Sequence, residues 1–255
     1  MIETKNLSFA YKQKKILREI TMTAKPGEIT AVIGTNGIGK STLLKNICGL
    51  LKGTGEVKLC GCSISDYKKS DMVKQISYLS QETVSTALLS VFEIVLLGRI
   101  TRLSNFVADT ELAIVENVIR RLGLEAVSFR NIGELSGGQR QLVFIAQALV
   151  RNPKILVMDE PTSSLDLYHQ FEIMGLLKSL TVSENFTTLI TLHQLNLASR
   201  FADKIVVLHN GGLYDTGTPT KILTPKTLRD VYRINAEKVE AGGISYVLPV
   251  EQYKE

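Results

Sequence analysis

The chain has 255 residues, 44% of them hydrophobic and 22% charged, the balance of an ordinary globular protein with length for one large domain or two modest ones. No apolar run approaches the roughly 18 to 20 residues that span a bilayer. The start, Met1-Ile2-Glu3-Thr4-Lys5, lacks the basic-then-apolar order of a signal peptide, so any membrane role is expected to come through a partner subunit. The net charge of +5 raises nucleic acid or anionic lipid as partners. The basic residues are dispersed and aromatic residues do not interleave with them, which argues against nucleic acid and suits work beside an anionic membrane face. Cys48, Cys60 and Cys62 are too few for a disulfide framework, and Cys60-Gly61-Cys62 has no second ligand pair. Reduced thiols in a strand or turn, and a cytosolic location, are expected.

Residues 2–9 and 16–22 read as strands before any helix, predicting a small antiparallel element. Residues 29–33, 155–158, 188–192 and 205–208 are short apolar runs, rich in branched side chains and bounded by Gly, Pro or polar residues, the pattern of buried parallel strands. Helical patterns lie between them, for example over 113–119 and 171–177. Strands alternating with helices predict an α/β layered fold with ligands at the carboxyl ends of the strands. Residues 83–150 read as a mostly helical insertion in that body. After Pro225 the pattern predicts a short helix over 226–232 and a terminal strand over 244–250, following Gly242-Gly243. There are no internal repeats and no low-complexity linker.

Gly34-Thr35-Asn36-Gly37-Ile38-Gly39-Lys40-Ser41 fits G-x-x-x-x-G-K-[ST], directly after a predicted strand and before a helical stretch over 41–47. The glycines let backbone N–H groups converge on phosphate oxygens, and the helix N-terminus adds partial positive charge. Lys40 is expected to reach the β/γ-phosphates and the Ser41 hydroxyl to ligate Mg²⁺. The run 155–158 ends in Asp159, the carboxylate such a loop needs to hold the metal, and Glu160 follows at once. Two adjacent carboxylates at a strand end are costly if merely buried. That cost favours a division of labour, with Asp159 on the metal and Glu160 aimed at an attacking water.

These elements specify a P-loop NTPase and no more. Leu135-Ser136-Gly137-Gly138-Gln139-Arg140 adds a second Gly-rich turn before a helical run over 141–150, again suited to phosphate. Here the sequence resembles the ATP-binding-cassette (ABC) ATPases, whose signature is LSGGQ, and the match is complete. The resemblance implies that Ser136 and Gly138, with Leu135, Gly137 and Gln139 around them, act in trans on the γ-phosphate of ATP held by the opposite subunit of a head-to-tail dimer. It also implies that Tyr11 stacks on adenine, and that the ATP-binding set runs from Gly34 through Thr35, Asn36, Gly37, Ile38, Gly39, Lys40 and Ser41 to Thr42. Gln81 matches the glutamine that touches Mg²⁺ and water, so the implied metal set is Ser41, Gln81 and Asp159. Ser163-Ser164-Leu165-Asp166 matches the loop that contacts the partner subunit, with Ser164 and Asp166 as its polar members. His193 matches the histidine on the γ-phosphate and joins Glu160 as catalytic. His169 and His209 match no motif. Thr35, Ile38, Ser80 and Gln194 depart from the commoner residues, and Ile38 is expected to point away from the phosphates. None of the departures removes a catalytic group.

The resemblance covers about residues 1–223. It divides the chain into a nucleotide-binding domain over 1–225, carrying the 83–150 helical subdomain, and a C-terminal extension over 226–255 that covers the domain edge. The implied fold is an α/β P-loop NTPase core with an N-terminal antiparallel β element and an inserted helical subdomain. Three phrases are similar to importers of iron–siderophore, haem and cobalamin: Ser90-Val91-Phe92-Glu93-Ile94-Val95-Leu96-Leu97-Gly98-Arg99, His193-Gln194-Leu195-Asn196-Leu197-Ala198 and Leu228-Arg229-Asp230-Val231-Tyr232. The implied protein is an ATPase using ATP and Mg²⁺, a homodimer of cassettes at the cytoplasmic face of the cell membrane. Its partners would be membrane-spanning permease subunits and a substrate-binding protein, with no nucleic acid. The alternative is a non-transport ABC ATPase such as an iron–sulfur cluster assembly ATPase. A small kinase or GTPase has no use for residues 135–139.

Overall fold

Short alternating and continuous apolar runs require different layers, and the fold provides both. A computed structural model describes residues 1–81, 88–99 and 108–253. In chain order the elements are β1 (Ile2–Tyr11), β2 (Lys14–Ala24), β3 (Ile29–Ile33), α1 (Lys40–Ile47), β4 (Thr54–Leu59), β5 (Cys62–Ser63), α2 (Lys69–Gln75) and β6 (Ile76–Leu79). The helical segment follows with α3 (Val91–Leu97), α4 (Asp109–Arg121) and α5 (Gly137–Leu149). Then come β7 (Ile155–Asp159), α6 (Leu167–Ser183), β8 (Thr187–Thr191), α7 (Leu195–Phe201), β9 (Lys204–His209), β10 (Gly212–Gly217), β11 (Ile234–Ala241) and β12 (Ile244–Gln252).

Among the described residues the strands form an antiparallel sheet β2-β1-β4-β5, a sheet β10-β9-β3-β8-β7-β6 and a hairpin β11-β12. The second sheet is parallel from β9 to β6, with β10 added antiparallel at its edge. Strands buried on both faces explain why residues 155–158 are apolar without interruption and residues 29–33 are broken only by Thr30. Alternate side chains go to opposite layers: Ile29, Ala31 and Ile33 with Leu156 and Met158 face the larger core, shared with α3–α7. Val32, Ile155 and Val157 face the smaller core, shared with the antiparallel sheet and α1. Ile38 packs against that smaller core.

The helical segment is pinned at both ends. Ser90 caps α3 in a reciprocal box: its Oγ accepts from Glu93 N–H at 3.3 Å and Glu93 Oε2 accepts from Ser90 N–H at 2.7 Å. Arg99 clamps Glu111 with two guanidinium N–H groups, tying the end of α3 to α4. The expected start of this subdomain, residue 83, lies outside the described residues.

Several sequence expectations shift. The helix after residues 135–139 begins at Gly137, four residues earlier than the apolar pattern suggested, because Ser136 caps it. The segment over 226–232 is a short turn of helix, Pro225–Thr227, running into a π-helical turn, Leu228–Tyr232. Strand β11 was not legible, since its second half, 237–241, is exposed throughout and carries Glu237, Lys238 and Glu240 without an alternating pattern. The C-terminal segment does more than cover an edge. Leu228, Val231 and Val247 enter the larger core, and Val247 N–H donates to Asn196 Oδ1 on α7 at 3.2 Å.

Candidate active site

The loop after β3 is shaped by glycines that no larger residue can replace. A Cβ at Gly34 would stand 2.5 Å from the Leu208 carbonyl oxygen, and Gly39, at φ 111°, would place one 2.9 Å from Ile16. Gly39 is the N-cap of α1 and supplies no side-chain cap, and the first turn carries no acid, so the helix's partial positive charge is left facing the loop. Lys40 is nearly fully buried and curls over the loop, its Nζ donating to the carbonyls of Gly34 at 2.9 Å and Thr35 at 3.2 Å. Burial lowers the Lys40 pKa, opposed by the charges of Glu160 and Asp159.

The two carboxylates part company at the end of β7. Asp159 is buried, and its Oδ1 accepts from the Thr191 hydroxyl at 2.7 Å. That hydroxyl accepts in turn from the Glu160 backbone N–H at 2.8 Å. Glu160 then adopts φ 51°, a left-handed backbone unusual for a non-glycine, which turns its side chain out of the strand. Its Oε2 accepts from Gln81 Nε2 at 2.8 Å, and its Oε1 contacts His193 Nε2. Burial, and after it the Asp159 charge, push the neighbouring Cys48 thiol and Tyr78 phenol up.

A cavity of about 610 Å³ opens between these elements, lined by Tyr11, Ile16, Asn36, Gly37, Gly39, Lys40, Ser41, Thr42, Gln81, Glu160 and His193. Tyr11 stands at its rim, half exposed, braced edge-on by the Phe9 ring at 4.8 Å. The structure therefore brings together Tyr11, most of the glycine-rich loop, Gln81, Glu160 and His193. Thr35 flanks the cavity, and Asp159 sits beneath it.

Residues 135–139 do not line this cavity. Ser136 Oγ accepts from Gln139 N–H at 3.2 Å and Gln139 Oε1 accepts from Ser136 N–H at 3.2 Å, a capping box. The cap uses the Ser136 oxygen only as an acceptor and leaves its proton available to an outside acceptor. Ser164 and Asp166 are exposed next to this turn, and Leu165 is buried against it. Sequence reasoning missed Thr191, the hydroxyl joining the Asp159 carboxylate to the Glu160 backbone N–H. Its signal was only a Thr in a strand-end register opposite Asp159.

The site's oxygen donors suit a hard divalent ion. The hydroxyl of Ser41, the amide oxygen of Gln81 and the Asp159 carboxylate are the kind of sparse set that Mg²⁺ shares with phosphates.

Known proteins resemble this chain in sequence and in fold. The sequence model of the ABC transporter family matches residues 17–163, more than half of the chain. The iron(3+)-hydroxamate import ATP-binding protein FhuC of Bacillus subtilis is 36% identical over 241 residues, covering 93% of this chain and 90% of FhuC. The hemin import ATP-binding protein HmuV of Pseudoalteromonas translucida is 34% identical over 245 residues, covering 92% and 94%. Among solved structures, an ABC transporter assigned to the metal-chelate type, in an inward-facing conformation, superposes with a TM-score of 0.84 at 30% identity, covering 99% of this chain and 98% of the other. The dimeric structure of MJ0796, a bacterial ABC transporter cassette, superposes with a TM-score of 0.74 at 30% identity, covering 86% and 99%. The chain belongs to the ABC transporter family and is one of its ATP-binding, ATP-hydrolysing cassettes.

Proposed function

We propose that two copies of this chain drive a membrane importer for an iron chelate (siderophore), haem or cobalamin, working peripherally at the cytoplasmic face with permease subunits and a substrate-binding protein. The observation that carries the ATPase half is the placement of Glu160, turned out of β7 by a left-handed backbone and held between Gln81 and His193 at the mouth of the glycine-loop cavity. The importer half is supported by the relatives named for hydroxamate and hemin import. No helix among the described residues is long and apolar enough to cross a membrane; in this reading the permease subunits carry the transport path.

In this reading Tyr11 stacks on the adenine while the N-terminus of α1 and Lys40 hold the phosphates. Mg²⁺, held by Ser41, Gln81 and Asp159, would supply charge neutralisation between the phosphates when bound. Glu160 takes a proton from water as it attacks the γ-phosphate in line, and His193 and Lys40 stabilise the charge that develops. The turn over 135–139 faces the ATP of the second cassette, with the Ser136 proton and the N-terminus of α5 as donors. Residues 1–225 form the cassette and 226–255 its extension.

The test is reconstitution. The full chain is co-expressed with candidate permeases from its own genome, and ATP hydrolysis is measured in liposomes with and without binding protein loaded with ferric siderophore, haem or cobalamin. Stimulated hydrolysis with accumulation of one of these supports the reading. Co-purification with no polytopic membrane protein, together with hydrolysis indifferent to all three, overturns it.

A further inference from the structure

His169 lies outside the cavity and outside every motif, yet it joins two of them. It stands one turn into α6, half buried. Its backbone N–H donates to Asp166 Oδ1 at 2.9 Å, and its ring Nδ1 lies 2.8 Å from the same oxygen. One carboxylate oxygen thus caps the helix and fixes the orientation of the ring. The ring then lies against the start of α5. A Cβ built on Gly138 would stand 2.3 Å from His169 Cδ2 and 2.8 Å from Cγ, so the ring occupies the space any larger residue would need.

Around this contact the loop over 163–166 is itself fixed. Gln170 Nε2 donates to the Leu165 carbonyl at 2.8 Å, and Ser163 N–H donates to the Glu160 carbonyl at 3.2 Å. A Cβ on Gly137 would meet Leu165 Cδ2 at 3.6 Å, an ordinary packing distance, so the close approach is that of the His169 ring. A continuous chain of contacts therefore runs from Glu160 through the 163–166 loop and His169 to the turn over 136–138. A planar ring held by Asp166 has little freedom, and packed neighbours of this kind transmit displacement rather than absorb it.

We propose that His169 is a positioning residue whose ring sets the spacing between the 136–138 turn and the 163–166 loop, so that both surfaces offered to a second cassette move as one unit. The proposal rests on the reading of residues 135–139 as acting across a dimer.

The test uses the full-length chain carrying Glu160→Gln, in which bound ATP persists. Dimerisation is followed by light scattering against ATP concentration, and a fluorescent ATP analogue bound at low protein concentration reports the chain's own site. His169→Ala is expected to raise the ATP concentration for half dimerisation about tenfold while leaving own-site affinity within about twofold. Should that variant not fold, His169→Asn keeps a donor for Asp166 while withdrawing the ring, and the same weakening is expected. Gly138→Ala is expected to weaken dimerisation strongly in the His169 background and much less in the His169→Ala background, where the methyl has room; additive effects overturn the spacing role. Ser136→Ala serves as the reference. Dimerisation impaired by Ser136→Ala and untouched by His169→Ala overturns the inference alone. Dimerisation untouched by both overturns the trans reading and this inference with it.

Discussion

The side-chain amide of Gln81 donates to the Glu160 carboxylate at 2.8 Å, joining residues 79 apart in sequence at the ends of the adjacent parallel strands β6 and β7. The contact occupies Oε2 while His193 meets Oε1, so the carboxylate is held by two side chains from two different strand ends. A carboxylate held this way has its direction fixed before any water is in place.

Glu160→Gln is therefore expected to lower ATP hydrolysis by about 10² to 10⁴-fold, the usual loss when a general base is removed, with ATP binding retained. Phosphate release and equilibrium binding of a labelled ATP analogue check this. Hydrolysis within a few-fold of the parent would remove Glu160 from its assigned role.

Thr191→Val tests the role of the Thr191 hydroxyl. The change keeps the shape and removes a group that donates to Asp159 and accepts from Glu160 N–H. It is expected to cost about 1–3 kcal/mol of stability, since a buried carboxylate and a backbone N–H lose their partner. Turnover should fall more than ATP affinity, because Glu160 loses the anchor of its backbone. Thr191→Ser should restore both. Urea unfolding and steady-state kinetics read the two effects separately, and an unchanged unfolding midpoint contradicts the assignment.

Leu228→Ala tests whether the C-terminal segment belongs to the core. Leu228 is 1% exposed and packs in the larger core. Truncation of so buried a leucine is expected to cost about 2–5 kcal/mol. A segment that merely covered an edge would lose far less, and the midpoint of denaturant unfolding distinguishes the two.

The Asp166 carboxyl is held below its ordinary value of 3.8, chiefly by the His169 backbone N–H and then by the His169 side chain. The sign follows from the charged form being favoured in the folded chain. Its contribution to stability is present above the unfolded value and is lost as pH falls through the lower folded one. Relative to Asp166→Asn, which keeps an N-cap without the charge, the parent should be the more stable at pH 7, and the gap should close on acidification below about pH 4. Thermal unfolding across that range checks it; a gap that widens with acid has the wrong sign for this contact.

The glycine-rich loop, the Asp159-Glu160 pair and the turn over 135–139 were legible because each is a local device. A loop that wraps phosphate with its own backbone must keep its glycines, its lysine and its hydroxyl at fixed spacing, and a helix capped by Ser136 must have Gln139 three residues on. The parallel core strands were legible for a similar reason, since burial on both faces leaves short runs dominated by branched and apolar side chains. Strand β11 was not, because its second half is exposed throughout and carries the charges of a loop.

The sequence alone therefore determined the kind of chemistry: a phosphate-binding loop, a carboxylate pair and a second phosphate-suited turn in one chain. The tertiary structure decided which groups meet. It brought Gln81, Glu160 and His193 to one cavity and set the Thr191 hydroxyl between the Asp159 carboxylate and the Glu160 backbone N–H. It also set the His169 ring against Gly138 and left the 135–139 turn outside the cavity. The reason is physical: spacing along the chain governs hydrogen bonds within a turn, whereas strand order and register govern which side chains from distant segments face one another.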